Sequence, residues 1–213
     1  MSIPAIQPYP MPTEAELPPG PLTWRPDPRR AVLLVHDMQR YFVDCFPVGR
    51  PPLTDLLDNV ARLRKAAGDL GIPVVYTAQP AMTRTERGLV YDLWGAGMGA
   101  DPDRRAIVPE AGRSPEDVVC AKYRYSAFHA SELDETIALY ERDQLIVCGV
   151  FAHIGCLLTA CDAYARDLQT FYVADAVADF SAEHHRMAID YATRICAVTL
   201  TTRRLLDRLS ERG

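Results

Sequence analysis

The sequence predicts an open α/β fold of the Rossmann-like kind, in which a mostly parallel, six-stranded sheet lies between two layers of helices. Apolar, β-rich runs alternate with helical stretches from Arg30 onward, and this is typical of a parallel sheet with helices on both faces. Several of these runs are continuously apolar, as expected of strands buried on both faces. A closed eight-stranded barrel needs about 250 residues and more strands than this chain provides.

The predicted elements follow one another along the chain. Nine of the 17 prolines fall within the first 28 residues, so we interpret residues 1–29 as an extended arm anchored by Leu22 and Trp24, and residues 30–213 as a single domain. Strands are predicted at 31–35, 72–77, 118–121, 145–148, 171–173 and 197–201. Helices are predicted at 53–70, 132–140, 153–168, 182–196 and after 202, with Ser131 and Ser181 as N-caps.

Composition and charge exclude several classes of protein. With 48% hydrophobic and 24% charged residues, the chain is not disordered, collagen-like or a coiled coil. A net charge of −5 without a basic stripe argues against nucleic acid as a partner. No apolar run approaches the ~20 residues that cross a bilayer, and the N-terminus lacks the features of a signal peptide, so no membrane is expected as a partner. Six irregularly spaced cysteines favour a cytoplasmic protein with reduced thiols.

Polar and ionisable side chains follow the predicted strands. Asp37, Gln79 and Lys122 each come after a strand, and the loop 149–155 follows another. Ligand sites in open parallel sheets lie beyond the carboxyl ends of the strands, so these residues are candidate site residues. A lone Asp37 would more often be a helix cap or a surface acid. A second ionisable group at another strand end favours a catalytic carboxyl tuned by burial and by a neighbouring charge.

Neither a metal nor a cofactor is expected from the motifs. No two of the five histidines have the helix-face spacing of a metal site with a carboxylate beside it. The glycine-rich stretch 95–99 precedes no apolar helix and lacks the lysine and hydroxyl of a phosphate-binding loop, so it is predicted to be a turn.

The cysteines raise the question of a nucleophile. Four of them, Cys120, Cys148, Cys161 and Cys196, are predicted to be small core residues. Cys156 differs because it opens a helix after a strand-end loop, and a helix N-terminus lowers the pKa of a thiol. Position alone therefore leaves Cys156 as a candidate nucleophile.

Seven segments, found in order across essentially the whole chain, resemble the isochorismatase family. They are VHDMQRYF (35–42), YTAQP (76–80), RGL with LWG (87–95), KYRYSAF (122–128), CGVFAHIGC (148–156), TACDA (159–163) and VADAVADF (173–180). The superfamily includes cysteine hydrolases such as nicotinamidases, which pair an aspartate and a lysine with a nucleophilic cysteine. Their nucleophile comes six residues after the loop glycine and seven before the aspartate of an Asp-Ala pair. Counted from Gly149 and from Asp162, that place is Gly155 in this sequence.

Cys156 is thus one residue too late, which rotates it about 100° around the helix and away from a pocket. In lacking the nucleophile, the sequence resembles the branch of the family that hydrolyses an enolpyruvyl ether. That resemblance implies Asp37 as a general acid beside Lys122, with Gly155 in the nucleophile's place and no cofactor. It further implies that Gln79 and Arg87 hold the substrate. The apolar walls of the pocket would be formed by Phe42, Trp94, Tyr125 and Phe151.

The pKa expected for Asp37 conflicts with its role as an acid, and the sequence differs from the family pattern at two positions. A neighbouring Lys122 cation lowers the pKa of Asp37, whereas donating a proton near pH 7 requires a higher one, so we expect Lys122 to point mainly at the substrate's ring substituent or carboxylate. Phe151 stands where the family usually has Tyr, and Tyr123 where it usually has Trp. Both keep an aromatic ring, which predicts altered binding with the chemistry retained.

The resemblance leaves two substrates open. One is 2-amino-2-deoxyisochorismate, hydrolysed to pyruvate and trans-2,3-dihydro-3-hydroxyanthranilate for phenazines or related metabolites. The other is isochorismate, hydrolysed to pyruvate and 2,3-dihydro-2,3-dihydroxybenzoate for siderophores. The motif DMQR (37–40) and the expected absence of a fused carrier domain favour the amino substrate, whereas Gly155-Cys156 looks like the siderophore form. A Cys156-dependent amidase and a non-catalytic binding protein are remote alternatives, and the resemblance implies a homodimer.

Overall fold

A computed structural model describes residues 3–211, and these residues contain a single six-stranded sheet. Its strands are β1 (Ala31–His36), β2 (Val74–Ala78), β3 (Val118–Ala121), β4 (Gln144–Val150), β5 (Gln169–Ala178) and β6 (Ala197–Leu200). They lie in the order β3-β2-β1-β4-β5-β6, and every neighbouring pair is parallel. The predicted open α/β fold is confirmed, with a sheet that is parallel throughout.

Nine α-helices connect or flank the strands in the described part of the chain. They are α1 (Arg40–Val43), α2 (Leu53–Asp69), α3 (Arg84–Arg87), α4 (Leu89–Trp94), α5 (Pro102–Arg105), α6 (Leu133–Leu139), α7 (Leu157–Ala165), α8 (Ala182–Ile195) and α9 (Thr202–Ser210). The five helices predicted from periodicity are α2 and α6 to α9. The short helices α1 and α3 to α5 lie in stretches without a recognisable period, and the sequence did not predict them.

The predicted cap of α6 is wrong by one residue, and that of α8 is confirmed. Helix α6 begins at Leu133 with Glu132 at the N-cap, while the Ser131 hydroxyl donates to the Ala127 carbonyl and accepts from the Leu133 amide. Ser181 accepts a hydrogen bond from the His184 amide at the start of α8. A serine before an apolar run therefore located both helix starts, but only the backbone geometry decides which residue is the cap.

Strand alternation separates two cores, one on each face of the sheet. Leu33 and Val35 of β1 pack with α2 and α9, whereas Val32 and Leu34 pack with α6, α7 and α8. All six residues of β1 and all seven of β4 are buried. This burial on both faces explains why the sequences of the two strands are almost continuously apolar. Each fully buried leucine or valine stabilises the fold by roughly 1.5–3 kcal/mol.

The N-terminal arm contacts the core mainly through residues that the sequence did not single out. Ile6 and Tyr9 are buried, whereas the predicted anchors Leu22 and Trp24 are only partly buried. The Tyr9 hydroxyl accepts a hydrogen bond from the Asp179 amide at 2.7 Å, just after β5. The arm is thereby tied to the carboxyl edge of the sheet.

The strand order places a crevice between β1 and β4. The chain winds from β1 outward to β3 and then returns to the other side of β1, so the connections after β1 and β4 leave the sheet in opposite directions. Ligands bind at such a switch point in open α/β sheets. In residues 3–211, the helices are all too short or too polar to cross a membrane.

Candidate active site

A cavity opens at this crevice and encloses about 610 Å³ of empty space, its mouth included. All nine site residues predicted from the sequence line it: Asp37, Lys122, Gly155, Gln79, Arg87, Phe42, Trp94, Tyr125 and Phe151. Sequence reasoning missed several others, among them Ile3, His36, Tyr41, Val90, Arg124 and Phe180.

Asp37 lies at the floor of the cavity, directly after β1. Its φ of 48° is in the left-handed region, which non-glycine residues rarely adopt, and its side chain is almost fully buried. The Thr77 hydroxyl donates to Asp37 Oδ1 at 2.6 Å and accepts from the Asp37 amide at 3.0 Å. Thr77 lies on the neighbouring strand β2, so the carboxylate is held to the sheet from two sides.

Lys122 follows the third strand and pairs directly with this carboxylate. Its Nζ is 2.8 Å from Asp37 Oδ2, and both side chains are 5% exposed or less. Lys122 thus points at Asp37 in this structure, and the expectation that it points mainly at a bound substrate stays a prediction. Burial raises the pKa of Asp37, but the Lys122 charge and the hydrogen bonds from Lys122 and Thr77 outweigh it, so the pKa is lowered.

Two glutamines connect the floor to the rim. Gln79 Nε2 donates to Asp37 Oδ2 at 3.3 Å, so the residue expected to hold the substrate reaches the Asp37 carboxylate. The backbone amide of Gln79 donates to Gln39 Oε1 at 2.8 Å, and Gln39 Nε2 donates to the Arg105 carbonyl. Gln39 is fully buried and thereby fixes the loop that carries Gln79. The sequence offered Gln39 only as part of a family motif.

Arg87 brings a positive charge to the cavity. The side chain is 4% exposed, and its Nε donates to the Gly95 carbonyl at 2.8 Å. Burial and the nearby Arg124 charge lower the pKa of Arg87, and in the described residues no carboxylate forms an ion pair with it. A buried cation without an acidic partner favours an anionic ligand.

Aromatic rings form the wall opposite the charged floor. Phe151 packs against Phe180 with tilted rings at a centroid distance of 4.5 Å and meets Phe42 edge-on at 5.7 Å. The Trp94 indole packs against Phe180 at 6.0 Å, and its Nε1 donates to the Tyr125 hydroxyl at 2.8 Å. Three of the four predicted wall residues thus lie in one cluster around Phe180, and Tyr125 is attached to it through Trp94.

The loop after β4 enters the cavity as a π-helical turn over Ala152–Cys156. Within it the Cys156 amide donates to the Phe151 carbonyl, five residues back. Gly155 lines the cavity, whereas Cys156 is fully buried in the core formed by α6, α7 and α8. Burial raises the pKa of Cys156 well above its ordinary value, so this thiol resists forming a nucleophilic thiolate.

His36 packs directly against Gly155. Its Nδ1 lies 2.8 Å from the Val150 carbonyl, which can only accept, so Nδ1 carries the proton. Burial lowers the pKa of the imidazole to about 4, which keeps the ring neutral near pH 7. Nε2 then has a lone pair, and no residue of 3–211 satisfies it. Over the same residues, the His, Cys, Asp and Glu side chains form no cluster of three or more that could hold a metal ion.

Comparison with known proteins gives a consistent result. The isochorismatase domain family matches residues 31–204. An isochorismatase of Bacillus subtilis is 50% identical over 210 residues, covering 98% of this chain and 67% of that protein. The phenazine biosynthesis protein PhzD1 of Pseudomonas aeruginosa is 48% identical over 206 residues, covering 96% and 99%.

The fold is shared with solved structures as well. A cysteine hydrolase from Pseudomonas syringae superimposes with a TM-score of 0.79 at 21% identity, covering 91% of this chain and 98% of that one. Such a distant likeness supports the fold alone, whereas the family match and the two relatives cover most of this chain at up to 50% identity. The chain belongs to the isochorismatase family, and it is a hydrolase of the isochorismatase type.

Proposed function

We propose that this protein hydrolyses the enolpyruvyl ether of 2-amino-2-deoxyisochorismate, releasing pyruvate and trans-2,3-dihydro-3-hydroxyanthranilate. The observation that carries the proposal is the buried Asp37–Lys122 pair at the floor of a cavity whose rim holds Arg87, a cation that pairs with no carboxylate in residues 3–211. Such a site offers one proton-transfer group and a cation for a carboxylate. It offers no thiol among the described lining residues, which argues against amide hydrolysis through a covalent intermediate.

The chemistry assigned to the site begins with protonation. Asp37 delivers a proton to the terminal methylene of the vinyl ether, which leaves an oxocarbenium ion. Water adds to the cationic carbon and returns a proton, and the resulting hemiketal breaks down to pyruvate and the ring alcohol. Asp37 is the acid in this scheme, and Gln79 and Thr77 hold its two oxygens in place.

The proposal requires the pKa of Asp37 to rise when substrate binds. In the free protein Lys122 holds it low. A bound carboxylate offers Lys122 a second anionic partner, and the negative charge of the substrate disfavours the Asp37 carboxylate. Both effects favour the protonated form of Asp37 in the complex. Before binding, the ion pair with Lys122 keeps Asp37 in place, and after binding Asp37 can carry the proton that it donates to the substrate.

The test is the pH dependence of pyruvate release, followed with a coupled lactate dehydrogenase assay. We expect Asp37→Asn to lower kcat/KM by about 10³-fold. We also expect it to remove one limb of the pH–rate profile of the wild type. A profile that keeps the same essential group after this substitution would show that another residue is the acid.

Isochorismate is the second candidate substrate, and the B. subtilis isochorismatase at 50% identity favours it. The PhzD1 relative, which matches over 99% of its own length, favours the amino substrate. Rates of pyruvate release from the two compounds, measured side by side, decide between them. A higher kcat/KM for isochorismate would replace the amino substrate and leave the assigned roles of Asp37 and Lys122 unchanged.

We also propose that the protein works as a homodimer, as the family resemblance implies, and in the cytoplasm, as its irregularly spaced cysteines favour. Sedimentation equilibrium of the purified chain tests the first part, since a monomer and a dimer differ twofold in mass. Fractionation of the producing cells tests the second part.

A further inference from the structure

The contact between His36 and Gly155 explains why position 155 is a glycine. A Cβ placed on Gly155 would lie 2.1 Å from His36 Cε1 and 2.9 Å from each ring nitrogen. Real Cβ atoms do not approach other heavy atoms below 3.0 Å. Because these three nearest atoms all belong to the imidazole, His36 occupies the space that any larger residue at 155 would use.

The backbone at Gly155 does not itself demand glycine. Eight glycines in the part of the chain that the structure describes have a positive φ, Gly149 among them, but Gly155 does not. An L-residue could therefore adopt its conformation without strain. The three nearest obstacles to a side chain at 155 all belong to the neighbouring ring.

The ring cannot move aside easily. Its Nδ1–H is bound to the Val150 carbonyl at 2.8 Å, and the whole side chain is about 1% exposed. Asp37 Oδ1 lies 4.0 Å from the same nitrogen, so the imidazole separates position 155 from the catalytic carboxylate. Displacing the ring toward Asp37 would disturb the pair with Lys122.

We propose that His36 is a specificity-determining residue of this site: its imidazole fills the volume of a side chain at position 155 and thereby holds the cavity to hydrolysis without a protein thiol. A nucleophile at 155 and a histidine at 36 exclude each other. The part of this inference that concerns catalysis rests on the proposed ether hydrolysis. The steric exclusion between His36 and a side chain at position 155 is independent of the reaction.

A stability cycle tests the exclusion. The four proteins are the wild type, Gly155→Ala, His36→Val and the double variant; valine suits the strand and lacks the three ring atoms that obstruct Cβ. With His36 present, Gly155→Ala should lower Tm by about 5 °C or more through overpacking. In the His36→Val background the same change should leave Tm nearly unaltered.

Gly68→Ala in α2 is the matched control. Its Cβ would meet only the flexible Arg64 guanidinium, at 3.1 Å, so the chain can accommodate it. We expect it to keep the wild-type Tm and activity. An equal loss of Tm from Gly155→Ala in both backgrounds, or none in either, would overturn the proposal. A Gly155→Ala protein that fails to fold supports it if the double variant folds.

Activity supplies an independent readout. Pressing the ring toward Asp37 should lower kcat/KM for pyruvate release by about 100-fold in Gly155→Ala. If the wild type released no pyruvate from either substrate, the proposed function would fail while the stability cycle still reported on the pair. If the Tm changes of the two single substitutions simply added in the double variant while the wild type released pyruvate, this inference would fail and the proposed function would stand.

A thiol at position 155 gives the chemical test. In His36→Val/Gly155→Cys, we expect iodoacetamide to alkylate Cys at 155, the sulfur displacing iodide with loss of the thiol proton, as shown by peptide mass mapping. Cys156 in the same protein is fully buried and should stay unmodified, which makes it an internal control. A folded double variant whose residue 155 resists alkylation, or a Gly155→Cys single variant that is alkylated at wild-type Tm, would overturn the proposal.

Discussion

The floor and the wall of the cavity are built by opposite means. On the floor, Asp37 is held by Lys122, Thr77 and Gln79 through hydrogen bonds and an ion pair of 2.6 to 3.3 Å. On the wall, Phe151 and Phe180 make ring contacts at 4.5 Å, with no polar atom to satisfy.

The difference teaches where the site tolerates change. Removing one partner from the floor leaves a buried charge without compensation, and this is strongly destabilising. Removing atoms from the wall loses contact area and at most one hydrogen bond. Floor substitutions should therefore affect stability and pH dependence, whereas wall substitutions should affect mainly substrate affinity.

Lys122→Met should give the largest effect on folding. It leaves the Asp37 carboxylate buried and unpaired, so we expect the free energy of unfolding at pH 7 to fall by about 3–5 kcal/mol in urea denaturation. The loss should shrink toward pH 5, because Asp37 can then take up a proton. The wild type behaves differently: the pKa of Asp37 is lowered on folding, so its contribution persists down to about pH 4 and is lost below that.

The control for this prediction is Lys65→Met. Lys65 Nζ lies 2.6 Å from Asp69 Oδ2, closer than the Lys122 pair, but both side chains are mostly exposed. Exposed pairs contribute little, so Tm should change by less than about 2 °C. Comparable losses in the two variants would mean that burial does not distinguish the floor.

His36→Gln should alter the pH dependence of stability. The pKa of His36 is lowered by burial from 6.5 to about 4, so between these values the unfolded chain binds a proton that the folded protein does not. Stability is therefore lost as pH falls through this window, by about 3 kcal/mol in full. Denaturation curves at pH 7 and 4.5 should differ less in the variant than in the wild type.

His129→Gln is the control, because His129 is exposed and away from the floor. His185 is also buried, with a pKa lowered by burial, but it is present in all three proteins and cancels in the comparison. A wild-type pH dependence in His36→Gln would show that the imidazole does not carry this linkage.

Trp94→Phe tests the wall. It keeps an aromatic ring against Phe180 but removes the indole Nε1–H that donates to Tyr125. One hydrogen bond contributes about 1 kcal/mol, so KM for the preferred substrate should rise by about fivefold with kcat nearly unchanged. An equal fall of kcat, or a changed pH–rate profile, would place Trp94 in the catalytic step.

Sequence patterns were enough for the fold and for most of the floor. Continuous apolar runs located β1 and β4, and the rule for strand ends led to Asp37 and Lys122. The register count from Gly149 singled out Gly155, which the structure places on the cavity. The strands, Asp37 and Lys122 were found because strand period and chain direction fix which residues meet at an edge, whereas the register count for Gly155 rests on the family resemblance.

The remaining features depend on contacts that have no local period. Nothing in the sequence shows that Thr77 donates to Asp37, that Ile3 of the arm lines the cavity, or that His36 fills the space beside Gly155. The sequence placed Lys122 beside Asp37, but their direct ion pair at 2.8 Å is a property of packing that no local period shows. The signal available for His36 was its place between a buried strand and the candidate acid.

Cys156→Ala should give the smallest effect on activity, because Cys156 belongs to neither the floor nor the wall. Its side chain is fully buried among α6, α7 and α8, and burial raises the pKa of its thiol. We expect kcat/KM to stay within about twofold of the wild type, since a substitution away from the reacting atoms leaves the transition state unchanged. Tm should fall by a few degrees, because a small cavity remains in the core. A loss of activity of tenfold or more at a nearly unchanged Tm would instead mean that the thiol takes part in the reaction. Cys156 would then have to be counted with the residues of the floor.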